Sequence, residues 1–118
     1  MATRSKSFDH IKTCMVRGRR YALKWRRLPN NKKGTITHGA CDPPDSKNRE
    51  IFIYPQTDDP QFLLGTVLHE CLHASFWDAS EELVAEYEQS VMRLLRRMGV
   101  QINFTGKPKR RPCAKAKD

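Results

Sequence analysis

Apolar and polar residues alternate with two different periods along this chain. From Ile11 to Arg27 the apolar positions are Ile11, Cys14, Met15 and Val16, then Tyr21, Leu23 and Trp25. They flank Arg17-Gly18-Arg19-Arg20, and Gly18 marks a turn, so the stretch predicts a β-hairpin. In its second arm Tyr21, Leu23 and Trp25 alternate with Ala22, Lys24 and Arg26, which puts the aromatic residues on one face and the charges on the other. Pro29 to Gly34 is a polar turn cluster. Thr35 to Cys41 reads as a short strand, and the paired Pro43-Pro44 keeps Asp42 to Asn48 out of any helix. Arg49 to Pro55 is the clearest strand: Ile51 and Ile53 face one way, Phe52 and Tyr54 the other, and Pro55 ends it or marks a sheet edge.

The period then lengthens. Asp58 or Asp59 caps a helix opening near Pro60, a residue suited to the first turn. Phe62, Leu63, Val67, Leu68, Leu72 and Phe76 make this helix apolar on most sides, which predicts burial. Trp77 to Ala79 breaks it, and Ser80 is a good N-cap for a second, amphipathic helix running to Met98. One face carries Val84, Tyr87, Val91, Leu94, Leu95 and Met98; the other carries Glu82, Glu86, Gln89, Arg93 and Arg97. Gly99 closes it, and Val100 to Phe104 alternates as a last short strand. The elements predict an α+β domain in which a small, mostly antiparallel sheet packs on two helices. Residues 1–9 read as a flexible start, 10–105 as one domain and 106–118 as a basic disordered tail.

Composition narrows the class. A chain of 118 residues suits one domain, and a mean hydropathy of −0.72 leaves a thin core. A metal bound only by the folded state would add to its stability. The net charge of +9 concentrates at 17–33 and 107–115, so DNA or RNA is a candidate partner through segments 17–33 and 107–111. The four cysteines form no C-x-x-C pair and follow no apolar leader, which fits a reducing cytoplasm. No run reaches the length of a membrane span.

The chemistry gathers in Thr66 to Ala74, which contains His69-Glu70-Cys71-Leu72-His73, an H-E-x-x-H pattern. Two histidines at i and i+4 share one helical face, and Zn²⁺ accepts imidazole nitrogen at roughly 2.0–2.1 Å. Glu70 can reach a metal-bound water whose pKa falls toward about 7, take its proton and pass it to a leaving amine. Burying two histidines and a carboxylate in a small core is costly unless they are paired or ligate something. A catalytic zinc site has three protein ligands and an open position. The H-x-x-G-x-x-H continuation of metzincins fails, because Phe76 and Ala79 stand where glycine and histidine would. A glutamate on the second helix is the alternative. Steps of three and four from Val84 reach Glu81 and Glu88, while Glu82 and Glu86 fall on the polar face. Glu81 lies nearest the break and is preferred, with Glu88 next and Glu82 third.

The succession of strands, then Leu64 to Ala74, then Ser80-Glu81-Glu82-Leu83-Val84, resembles small gluzincin-type metallopeptidases: ImmA/IrrE-like proteins, SprT-like proteins and related phage metallopeptidases. The resemblance covers roughly residues 34–99 and rests on T-x-x-H-E-x-x-H-A followed by E-x-x-V. It implies a minimal zincin-like fold and zinc-dependent peptide hydrolysis. His69, His73 and Glu81 would be the metal ligands, Glu70 would be catalytic, and the Glu81–Val84 pair would match a third-ligand motif of ImmA/IrrE-like members. The chain departs from those families in lacking Ala-Asn after that glutamate. It also lacks the extra histidine of SprT-like sites unless His38 or His10 serves. Tyr87 and Tyr54 are the candidates for stabilising an oxyanion. Strand 51–55 is a candidate edge for an extended peptide. The rival function is a non-catalytic module that binds nucleic acid or protein and uses zinc as a structural clip.

Overall fold

Arg17 (φ 50°) and Gly18 (φ 78°) make the turn between β1 (Thr13–Val16) and β2 (Arg19–Trp25). Positive φ at two successive residues belongs to a type I′ turn, whose twist matches that of hairpin strands. Glycine adopts it without a Cβ clash. Arg17 is held there while its guanidinium donates to the Ser75 carbonyl at 2.8 Å and lies 5.6 Å over the Phe76 ring. The computed structural model describes residues 8–26, 28, 37–55, 57 and 59–100. Its remaining elements are β3 (Gly39–Cys41), β4 (Glu50–Ile53), α1 (Pro60–Ser75) and α2 (Glu81–Arg97). The architecture is α+β, as the two periods predict.

The four strands lie in the order β1-β2-β4-β3. β1–β2 and β3–β4 are antiparallel, and β2–β4 is parallel, with Leu23 opposite Ile51 and Trp25 opposite Ile53. The expectation that 51–55 forms an exposed edge is therefore corrected. β4 is an inner strand, and β1 and β3 are the edges. The reason is burial: Ile51 and Ile53 are each 1% exposed, and a strand buried that fully is paired on both sides. The strand expected over Thr35–Cys41 is observed only as Gly39–Cys41, with Thr35 and Ile36 outside the described residues. The strand expected at Val100–Phe104 and the tail at 106–118 also lie outside them, except Val100, which is not in a strand.

Tyr21, Ile51, Ile53, Leu63 and Ala74 form the core, with Leu23, Trp25 and Val67 packed against it. Phe8 stacks on Trp25 at 6.0 Å, and the Trp25 indole donates to the Ile11 carbonyl at 2.8 Å. Asp59 caps α1 by accepting from the Gln61 amide at 3.0 Å, and Ser80 caps α2 by accepting from the Leu83 amide at 3.1 Å. Each satisfies a helix-terminal N–H that has no partner within its helix. α1 is less enclosed than its apolar residues imply: Phe62 and Phe76 remain largely exposed. The two-helix layer is too thin to cover every side. α2 likewise buries Val84 and Met92 while Tyr87, Leu94 and Met98 face outward. Among the described residues no helix is long and apolar enough to cross a membrane.

Burial, with the charges of Glu70 and Asp42 behind it, pushes the Cys41 thiol up to about 12, and burial raises Cys14 as well. A raised folded-state value means that the unfolded chain gives up its proton first. This contribution to stability is complete below the ordinary thiol value of 9.0 and is lost as pH rises toward about 12. Urea unfolding at about pH 8 and about pH 10 should show the loss, and Cys41→Ala should make the decline shallower.

Candidate metal centre

The i, i+4 spacing stacks His69 and His73 on one face of α1. The break at 76–80 then turns the chain back, so that Glu81, the first residue of α2, reaches both rings. Its two carboxylate oxygens lie 2.8 Å from His69 Nε2 and 2.9 Å from His73 Nε2, and the two ring nitrogens are 3.2 Å apart. Two ligands bound near-tetrahedrally at about 2.1 Å stand about 3.4 Å from each other, so the pair is already at ligand spacing. Among the described residues these three side chains are the group that can hold a metal ion, with ligand atoms all within 4.8 Å of one another. The histidine side chains are 17% and 19% exposed and Glu81 is 69% exposed, so the cluster is walled by α1 and open at Glu81.

Glu88 enters the cluster from behind. Its carboxylate lies 2.9 Å from His69 Nδ1, on the side of the ring away from Glu81. With Nδ1–H donated to Glu88, Nε2 keeps its lone pair for a metal, the arrangement that fixes tautomer and ring orientation at metal-binding histidines. Glu88 thus lies behind His69, outside the three ligand-type side chains that converge. The physical reason is position: Glu88 lies two turns beyond Glu81 on α2, level with the far nitrogen of His69. Gly65 makes room, since a Cβ there would meet Glu88 Oε2 at 2.6 Å. Burial opposes protonation of His69, but the Glu88 hydrogen bond and the charges of Glu81, Glu70 and Glu88 outweigh it and shift its pKa upward.

Among the described residues Glu70 is the one buried charged residue, 7% exposed. It rests against β3, where a Cβ on Gly39 would meet its Oε2 at 2.8 Å. Burial pushes its pKa up to about 7; His69 opposes the shift, and Glu81 and Glu88 add to it. A cavity of about 300 Å³ lies between Gly39, Cys41, Glu70, His73, Trp77 and Glu81. A second, of about 270 Å³, shares His69, Glu70 and Glu81 and adds His38 and Phe62.

The other candidates lie elsewhere. Glu82 is exposed on the outer face of α2 and does not approach the histidines. Tyr87, 56% exposed, lines an apolar cavity with Leu72 and Phe76 rather than the cleft. Tyr54 follows β4 and stacks on His38 at 6.1 Å, without lining either cleft cavity. Neither tyrosine lines the two cleft cavities: Tyr54 lies just past the end of β4 and Tyr87 on the outward flank of α2. Sequence reasoning missed the orienting role of Glu88 and the part of Gly39 and Trp77 in the cleft. One signal was available for Glu88, a glycine in the interior of α1, where it costs about 1 kcal/mol relative to alanine. Comparison with protein-family models, with curated proteins and with solved structures gives no match to this chain.

Metal titration should find one tight site per chain in the wild type and its loss in His73→Ala and Glu81→Ala. Glu88→Ala should bind about 10–100-fold more weakly, and Glu82→Ala should bind as the wild type does.

Proposed function

We propose that this chain is a zinc-dependent metallopeptidase. The observation that carries the reading is Glu70, a buried carboxylate that lines both cleft cavities beside three convergent metal-type side chains. His69, His73 and Glu81 would hold the metal, a His₂Glu donor set that suits Zn²⁺. Zinc bound there would supply Lewis-acid activation of water and of the scissile carbonyl. Glu70 takes up a proton from the attacking water and returns it to the leaving amine. Glu88 holds His69 in orientation throughout. His38, exposed at the rim of the same cleft, takes the place of the tyrosines as the side chain available to a developing oxyanion.

The substrate in this reading is an extended peptide. Among the described residues β3 has β4 on one side only, and its Gly39–Cys41 backbone borders the cleft, so a peptide laid along its other edge would pass Glu70. The three ligands and open cleft also speak against the structural-clip alternative, since structural zinc is closed by four protein ligands. Recruitment by DNA or RNA belongs to the same proposal, through Arg17, Arg19, Arg20, Lys24 and Arg26; residues 27, 29–33 and 107–111 lie outside those described. Cys14, Cys41 and Cys71 are free thiols, in keeping with action in a reducing cytoplasm.

Hydrolysis of an unstructured protein substrate by the zinc-loaded chain provides the test. Glu70→Gln should lose activity by about 10²–10⁴-fold while keeping its metal. Gly39→Ala should act in the same direction, because its methyl group displaces the Glu70 carboxylate without touching a ligand. Undiminished hydrolysis by Glu70→Gln would exclude this mechanism.

A further inference from the structure

Three apolar side chains of α2 and its C-cap Met98 are left exposed by the described residues. Leu83 is 50% exposed, Tyr87 56%, Leu94 56% and Met98 66%. At about 100° per residue they fall within about 60° of one another around the helix, forming one stripe from end to end. Val84 and Met92, through which α2 is buried, lie about 70° and about 150° from the middle of the stripe. At its N-terminal end the stripe opens onto an apolar cavity of about 220 Å³ between Leu72, Phe76, Leu83 and Tyr87. Exposed apolar side chains gathered on one face of a helix in this way mark an interaction surface.

The stripe itself indicates its partner. Its spacing is palindromic: Leu83 and Met98 are equally distant from the midpoint between Ser90 and Val91, and so are Tyr87 and Leu94. A second α2 laid antiparallel about a two-fold axis at that midpoint brings Met98 of the second copy over Leu83 and its cavity. Leu94 of the second copy then meets Tyr87, and the symmetry makes every contact twice. Methionine is the side chain best able to fill an irregular apolar gap.

Charge selects the same arrangement. Beside the stripe, on its solvent flank, the first half of α2 carries Glu82 and Glu86 and the second half carries Arg93 and Arg97. None of the four forms an ion pair among the described residues. In the antiparallel pair, Glu86 stands at a level between Arg93 and Arg97 of the second copy, on the same flank. A parallel two-fold pair would place the charged flanks of the two copies on opposite sides of the seam and form none of these contacts. The helix holds four glutamates and three arginines, so the chain's +9 is not concentrated on this surface.

We propose that the Leu83–Tyr87–Leu94–Met98 stripe is a self-association surface through which two copies of this chain pair as an antiparallel, two-fold symmetric dimer. Glu81 and Glu88 point to the other side of α2, so the metal cleft stays open in the dimer. Sedimentation velocity on the full zinc-loaded chain, from low to high micromolar concentration, tests it without reference to catalysis. The mass should rise from 13.7 kDa toward twice that value. Leu94→Glu should remain monomeric with its metal content and helical signal unchanged. Glu86→Arg should weaken association about tenfold or more, and adding Arg93→Glu and Arg97→Glu to it should restore the dimer. A monomer at every concentration, a dimer indifferent to Leu94→Glu, or a charge swap that fails to restore association would overturn the proposal.

Discussion

Three carboxylates, Glu70, Glu81 and Glu88, crowd around two imidazoles in the gap between α1, α2 and β3. In a gap partly closed to water their mutual repulsion is poorly screened, and only positive charge among them offsets it. The upward shift of His69 comes from these carboxylates against the effect of burial, whereas that of Glu70 comes first from burial, with Glu81 and Glu88 adding to it. A divalent cation answers the same need from the centre of the cluster. Most of the remaining structure serves to hold these groups together. The Asp59 and Ser80 caps fix where the two helices begin, and the break between the helices turns Glu81 back onto the histidines.

The sheet contributes by its order. Because β2 and β4 pair in parallel, β4 is drawn into the interior and β3 is left at the rim, alongside the helix that carries His69 and Glu70. The most apolar strand thus supplies core, while the three-residue strand with glycine and alanine supplies the border of the cleft. A short edge strand is also a poor template for unwanted pairing.

Much of this was legible from residue order alone. The change from period two to period three and a half located the hairpin, the Ile51–Ile53 strand and both helices; capping chemistry named Ser80 for the second helix and left Asp58 and Asp59 as alternatives for the first. Stepping from Val84 identified Glu81 as the residue that meets the histidines. Strand order was not legible, because alternation says which face a residue takes and nothing about its neighbours. The outward flank of α2 was misassigned for a related reason: a hydrophobic stripe records that a surface avoids water, without saying whether the chain covers it alone. Glu88 was read by helical phase, which could not tell a group facing the metal from one facing the back of a ligand.

Gly39 and Gly65 sit on different elements, and neither contributes an atom to the metal cluster. Each is nevertheless the seat of a carboxylate, one of Glu70 and the other of Glu88. At these two positions the site is specified by empty volume rather than by functional groups. Sequence drift that spares every histidine and glutamate can therefore still disable the cluster by adding a single carbon.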